Sequence, residues 1–231
     1  MSSPRLLTYI KNTLNIKRQE AIDLIVSGRI LVNNKQEQLS YRVLDFDVIT
    51  KDGLKVNPRT QFTYLAFNKP VGITCTNDSN VNSSIVNFLN YKTRIYPVGR
   101  LDKDSCGLIL LTDDGAFTNM IINGNHDVEK EYLVRVDKKI NQELLDNLSS
   151  GVLILGVTTK PCKTFYVDEY SFRIILTQGL NRQIRRMCKV FGYEVCFLKR
   201  IRIQNVYLDI KEGEYRPLTS EELSILKGQK S

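Results

Sequence analysis

The 231-residue chain has no tryptophan and a single histidine, His126. With one imidazole, outside any recognisable motif, acid–base chemistry built on histidine is not expected, and His126 reads as a surface residue. No apolar run approaches the roughly 18 to 20 residues that span a bilayer, and the first residues lack the charged-then-apolar order of a secretion signal. A cytosolic chain with no membrane partner is expected. The five cysteines, Cys75, Cys106, Cys162, Cys188 and Cys196, are odd in number and show no Cys-x-x-Cys spacing. This argues against a zinc site or a disulfide framework and for buried free thiols. Internal repeats and low-complexity tracts are missing too.

What the chain does have is positive charge: 33 Lys and Arg against 25 Asp and Glu, a net +8. A polyanionic partner is favoured, because neutralising phosphates releases their counterions. Residues 1–60 carry 10 cationic and 6 acidic side chains, and residues 61–231 carry 23 and 19, so the charge is denser in the shorter part. An apolar content of 42% suffices for the cores of one small and one medium domain.

In the shorter part, the apolar spacing over Leu6–Ile10 and Ala21–Val26 predicts two short helices, the second stopped by Gly28. Ile30–Val32 reads as a strand, Asn33-Asn34 as a tight turn, and Asp47–Thr50 as a second strand before Asp52-Gly53. Arg18, Arg29 and Lys35 would then cluster on one surface, as solvated charge or as contacts to a polyanion. The stretch Lys55–Gln61, with Pro58 and few apolar residues, suits a linker. The expected division is 1–56, a linker at 57–61, and 62–231. In the last part strands are predicted near 62–68, 95–98, 107–112, 129–136, 162–167, 171–177 and 194–203. Helices are predicted near 82–91, 114–123, 141–149, 181–191 and 218–227. The order is mixed rather than strictly alternating, which argues for an α+β sheet domain.

Gly99-Arg100-Leu101-Asp102-Lys103-Asp104-Ser105 is a polar loop feeding a strand that should be buried, Cys106–Thr112. Such loops hold reactive groups at the edge of a rigid sheet. By composition alone, an acidic loop before a strand is more often a turn with capping carboxylates. On the helix predicted at 181–191, Arg182, Arg185, Arg186 and Lys189 make a basic face, and Ile184, Met187, Cys188 and Phe191 an apolar one. Tyr132 shares a strand face with Val134 and Val136, the position of a core tyrosine. Lys69-Pro70 follows a strand and stiffens its exit, since proline fixes its backbone angle and cannot donate a ladder bond.

Four segments, in order, resemble the motifs of the ribosomal RNA pseudouridine synthase family: Asn68-Lys69-Pro70-Val71-Gly72, Gly99-Arg100-Leu101-Asp102, Glu129-Lys130-Glu131-Tyr132 and Gln178-Gly179-Leu180-Asn181-Arg182-Gln183-Ile184-Arg185-Arg186-Met187-Cys188. The run Lys17-Arg18-Gln19-Glu20-Ala21 through Gly28-Arg29-Ile30-Leu31-Val32-Asn33 resembles the S-four-type RNA-binding domain. The two together span nearly the whole chain, and the wording of the last motif is nearest to large-subunit enzymes. The resemblance implies an α+β catalytic domain with a mixed, mainly antiparallel sheet behind a small α/β S-four-like domain. It implies isomerisation of uridine to pseudouridine in ribosomal RNA, large-subunit RNA before or during assembly, by a monomer without cofactor or metal. Family members that act on small-subunit or transfer RNA share the same plan.

The resemblance also assigns roles. Asp102 becomes the nucleophile, although attack on sugar, attack on base and removal of a sugar proton all stay open. A carboxylate in a dry pocket protonates unless a cation holds its charge, and that cation would be Arg185, bonding it bidentately. Tyr132 would stack on the target uracil. The base must leave its stack, and Arg100 would fill the vacated space or hold the backbone phosphate. Leu198 would be the apolar floor under the base, and Lys69, Arg182, Arg186, Arg18 and Arg29 would touch RNA. Two other classes are weighed. A non-catalytic RNA-binding protein would be favoured by loss of Asp102 or Tyr132, and both are present. A glycoside hydrolase using Asp102 with Asp104 or Asp113 needs carboxylates facing each other across a sugar and an aromatic groove; here the acids crowd one loop and tryptophan is absent.

Overall fold

The computed structural model describes residues 3–123 and 127–228, and His126 lies outside them. The chain divides into two compact units: one runs through Thr63 and takes in Lys92–Arg94 and Asp113–Gly115, and the other comprises the remainder.

The first unit opens with helices α1 (Leu6–Leu14) and α2 (Arg18–Val26), followed by β1 (Ile30–Val32), β2 (Ile49–Lys51) and β3 (Leu54–Lys55). Leu6 and Ile10 of α1, Ala21 and Ile25 of α2, and Ile30 and Ile49 of the sheet are buried together, as helical and strand periods require. The turn at Asn33 and Asn34 uses positive φ at both residues, 50° and 64°, which asparagine tolerates better than most. The strand expected at Asp47 starts later, at Ile49. Asp47 is occupied instead, accepting from the Leu44 amide at 2.8 Å and the Tyr41 hydroxyl at 3.0 Å. The short third strand was not expected, and Val56 behind it packs into this core.

Along the rest of the chain come β4 (Tyr64–Lys69), α3 (Ile85–Leu89), β5 (Tyr96–Val98), β6 (Cys106–Thr112), α4 (Gly115–Asn123) and β7 (Lys130–Val136). Next are α5 (Gln142–Ser150), a small hairpin of β8 (Leu153–Ile154) and β9 (Val157–Thr158), β10 (Lys163–Asp168), β11 (Ser171–Leu176) and α6 (Gln183–Val190). Last come β12 (Val195–Ile203), β13 (Val206–Tyr207), β14 (Tyr215–Pro217) and α7 (Ser220–Leu226). One sheet dominates, in the order β10-β11-β7-β12-β6-β4-β14, with β5 on β6 and β13 on β12. Its pairings are antiparallel except β12 with β6. The fold is therefore α+β with a mixed, mainly antiparallel sheet.

The central strand β6 is buried at every residue, which is why it reads as an unbroken apolar run. Its parallel partner β12 crosses closely at Arg200↔Gly107. Gly107 has φ +101°, and a side chain there would fall on the Arg200 carbonyl oxygen, so only glycine permits the approach. Helices α5 and α6 cover one cluster with Val134, Phe172 and Ile174, burying Leu144, Leu148, Ile184 and Met187. Strand β14 escaped the sequence pattern, because its pairing with β4 brings Tyr215 opposite Phe67 from a distant part of the chain.

Among the described residues no helix is long and apolar enough to cross a membrane. All five cysteines are free, and Cys75, Cys106 and Cys188 are buried. Burial pushes the Cys162 thiol up to about 11 and the Cys188 thiol up to about 12, which leaves both poorly nucleophilic. Cys196 departs from the expectation of burial. A register shift between Val195 and Phe197 turns it outward, and it is exposed.

Candidate active site

The loop between β5 and β6 forms one wall of a cleft of about 780 Å³, also lined by Tyr132, Leu198, Arg200 and the approach to α6. A smaller cavity of about 580 Å³ shares Arg100, Leu101, Asp102 and Arg182 with it. The loop is pinned from below. Leu101 is buried, its amide donating to Cys75 Sγ, and the buried Ser105 donates its amide to the Asp102 carbonyl at 3.1 Å. Between these anchors the Asp102 side chain stays about a third exposed (32%). Among the described residues it is the one carboxylate lining the larger cleft.

The cations around it are arranged differently from expectation. Arg182 has an Nη 3.8 Å from the Asp102 carboxylate and makes a fork to Asp104 at 3.1 and 3.0 Å. Burial pushes the Asp104 carboxyl up, but bonds from Arg182 and the charges of Arg185 and Arg182 outweigh it and hold the group below its ordinary value. Arg185 makes no ion pair with Asp102 within 4 Å. Its guanidinium donates to the Val195 carbonyl at 2.8 Å, the Asp104 carbonyl at 3.0 Å and Ser105 Oγ at 3.3 Å. It braces the backbone of the loop from α6 to β12, leaving the carboxylate nearest to Arg182. The physical reason is reach: α6 begins at Gln183, so Arg182 sits at its mouth with φ 50° while Arg185 lies one turn deeper.

Tyr132, half-buried on β7, lies opposite Ile174 of β11 and Arg200 of β12. Its hydroxyl accepts from Arg200 Nη1 at 3.4 Å. Leu198 is buried in the same cleft wall, and Arg100 is exposed and lines both cavities. The other two acids weighed as partners for Asp102 are committed elsewhere: Asp104 to Arg182, and Asp113, buried, to Arg59 and the Thr63 amide.

With this geometry in hand, comparison with known proteins is decisive. Residues 63–189 match the model of the RNA pseudouridylate synthase family, and residues 4–49 match the S4 domain. The chain belongs to the RNA pseudouridylate synthase family. It is 47% identical over 225 residues to the dual-specificity RNA pseudouridine synthase RluF of Escherichia coli (strain K12), covering 96% of this chain and 78% of that one. The enzyme of the same description from Salmonella typhi is 46% identical over the same shares. A solved pseudouridylate synthase structure superposes with a TM-score of 0.71 at 31% identity, over 97% of this chain and 100% of that one.

For an RNA pseudouridine synthase, one residue nominated from sequence sits elsewhere than an RNA contact needs. Lys69 is fully buried, and its ammonium donates to the carbonyls of Pro70 at 2.8 Å and Ile73 at 2.9 Å. Burial pushes its pKa down, and its task is to tie off the strand exit; the expected RNA contact is corrected. Arg186 turns back on Asn181, bonding its carbonyl and side-chain oxygens. In the first unit Arg18 is exposed, whereas Arg29 forms a fork with Asp52 at 2.8 and 2.6 Å. The sequence pattern missed the two faces of the Glu129–Tyr132 motif. On one face, Glu131 is held by Arg202 at 2.8 Å and Arg173 at 2.9 Å, and Glu129 accepts from Arg202 at 2.9 Å. On the other, Lys130, Tyr132 and Arg200 line the cleft. The available signal was three cations, Lys199, Arg200 and Arg202, inside a strand whose other residues are apolar.

Proposed function

We propose that this RNA pseudouridine synthase acts on uridine in ribosomal RNA, large-subunit RNA first, with Asp102 as nucleophile. The observation that carries the assignment is that, among the described residues, Asp102 alone supplies a carboxylate to the cleft that also holds Tyr132 and Leu198. An attacking group on a pinned loop at a sheet edge keeps its position through the reaction, which is where positioning contributes most. Tyr132 stacks on the uracil, Leu198 supports it, and Arg100, exposed at the rim, fills the gap left by the flipped base or holds its phosphate. Arg182 places positive charge 3.8 Å from the Asp102 carboxylate, and Arg185 fixes the loop and joins the carboxylate once RNA closes the site.

The S4 unit, residues 1–56 before a linker at 57–61, supplies RNA affinity through Arg18, with Arg29 contributing once freed from Asp52. Residues 62–231 carry the chemistry, the protein works in the cytosol as a monomer, and no cofactor takes part. The choice of large-subunit RNA rests on the wording of Gln178–Cys188. The description "dual-specificity" borne by the 46–47% identical relatives supports a second RNA substrate here as well.

Asp102→Asn is expected to bind RNA normally and to form no pseudouridine. Wild type and variant are incubated with unmodified ribosomal and transfer RNA, and pseudouridine is mapped by carbodiimide-dependent primer-extension stops. Retained activity in Asp102→Asn ends the nucleophile assignment. Stops confined to small-subunit or transfer RNA end the large-subunit assignment.

A further inference from the structure

The roles proposed for Asp102, Tyr132 and Arg185 leave two cations of the cleft without a task. Lys130 and Tyr132, two residues apart on β7, project from one face, and Arg200 stands opposite Tyr132 on β12. Arg200 is only 3% exposed, yet among the described residues it forms no ion pair within 4 Å. Its Nε donates to the Leu108 carbonyl at 2.6 Å and Nη1 to the Tyr132 hydroxyl, while Nη2 is buried with no hydrogen-bond partner. Its guanidinium carbon lies 5.9 Å from the centre of the Tyr132 ring. Lys130 spends hydrogens on the carbonyls of Val128 at 3.0 Å and Thr177 at 3.3 Å, and it too has no carboxylate within 4 Å. Burial and then the charge of Arg200 push the Lys130 amine down, outweighing the opposite pull of the Asp127 carboxylate, which lies beyond ion-pair distance and is bonded to Lys160.

Two unpaired cations sharing a partly dry wall destabilise the empty protein. The cost is offset when a ligand brings negative charge to that wall, and such local conflicts concentrate at functional sites. The uracil base of the intact nucleotide, which is what faces this buried wall, is neutral and brings none. We propose that Arg200 and Lys130 form an anion site for the uracil during the interval in which it is detached from its ribose.

The proposal rests on the isomerase reaction. The bond between C1′ and N1 breaks, and its electron pair leaves with N1, so the base becomes a uracil anion with charge shared by O2 and O4. The electron-poor sugar carbon is met by Asp102. After the base turns, C5 attacks C1′ with that electron pair and the Asp102 carboxylate leaves the carbon with its own; the proton on C5 is then lost and N1 gains one, so atoms and charge balance without a co-reactant. Arg200 and Lys130 act while the negative charge is on the base. A low-dielectric wall strengthens that attraction and keeps the free base from escaping. Arginine has no acceptor, so its contact with the Tyr132 hydroxyl uses an oxygen lone pair and holds the ring on which the base stacks.

The test compares two target bases in single-turnover reactions of the full-length enzyme with RNA. One RNA carries uridine at the target and the other 5-fluorouridine, whose base is the better leaving anion because fluorine withdraws charge. Arg200→Gln is expected to slow uridine conversion about 10²-fold, the size of losing one preorganised donor, with RNA Kd unchanged within about threefold. Consumption of 5-fluorouridine should fall at least several-fold less, and Arg200→Lys should recover most of the rate. Equal losses on both bases, or Arg200→Lys as impaired as Arg200→Gln, overturn the anion site. If Arg200→Gln does not fold, Lys130→Gln carries the same comparison: a smaller loss on 5-fluorouridine supports the site and an equal loss overturns it. A wild-type enzyme that converts neither RNA, though it binds both, would sink the substrate assignment instead, so the two failures are distinguishable.

Discussion

Arg185→Lys separates two explanations of why the site needs an arginine. If Arg185 served only as a positive charge near Asp102, lysine would replace it. In the structure it spans three acceptors on two different segments: the Val195 carbonyl, the Asp104 carbonyl and Ser105 Oγ. An ammonium on a flexible stem lacks the planar fork and reaches one of these segments, not both. Two bonds from an ionised donor are lost, at about 1.5 kcal/mol each or somewhat more. The side chain is 13% exposed, so solvent screening is slight, and a loss of ~3 kcal/mol in unfolding free energy is expected. Arg182→Lys is the control. Its fork to Asp104 joins side chains 42% and 48% exposed, so less than ~1 kcal/mol is expected there. With no tryptophan as a fluorescent probe, urea unfolding is followed by circular dichroism. The loop should also shift, and a displacement of ~1 Å at a nucleophile costs about 10²-fold in kcat. Arg185→Lys within ~0.5 kcal/mol of wild type, and as active, would refute the bracing role.

Gly107→Ala should lower stability by ~3 kcal/mol or more, or prevent folding, because the methyl group meets the Arg200 backbone at positive φ; an unchanged melting temperature would contradict the close crossing of β6 and β12. The Arg202 hydrogen bond holds the Glu129 carboxyl below its ordinary value against the opposing effect of burial. A depressed folded pKa stabilises above the unfolded value of about 4.3 and is lost as pH falls through the folded one. Glu129→Gln should therefore be ~1 kcal/mol less stable at pH 7, with the gap closing below about pH 4; urea melts at the two pH values showing a constant gap would refute this. Arg18→Gln should reduce the slope of log affinity against log salt by about 1 in RNA titrations, and Arg29→Gln by less, since Asp52 already holds Arg29. Equal slopes for the two would remove the distinction.

Much of the architecture was legible because side-chain alternation and helical spacing are local. β6 announced itself by continuous apolar residues, and β7 by Tyr132, Val134 and Val136 on one face. The segments that escaped are those whose partner is remote. β14 forms because Tyr215–Pro217 returns to β4, and nothing in that tripeptide alternates. Lys69 looked available for RNA because a lysine beside a proline at a strand end is ordinarily solvated. Its burial follows from how the chain folds over the exit of β4, where the Asn68 side chain donates to the Ile210 carbonyl, 142 residues away.

At the site, the amino-acid order alone determined the family, the loop that bears Asp102 and the face that bears Tyr132, because motif spacing and strand period survive without coordinates. Which cation serves which acceptor was decided only by tertiary structure. A guanidinium binds whatever oxygen lies within reach of its fork, and reach depends on how α6, β12 and the Asp102 loop converge. The same convergence placed Arg182 rather than Arg185 beside the carboxylate, and left Arg200 and Lys130 without an ion pair among the described residues at the wall of the cleft.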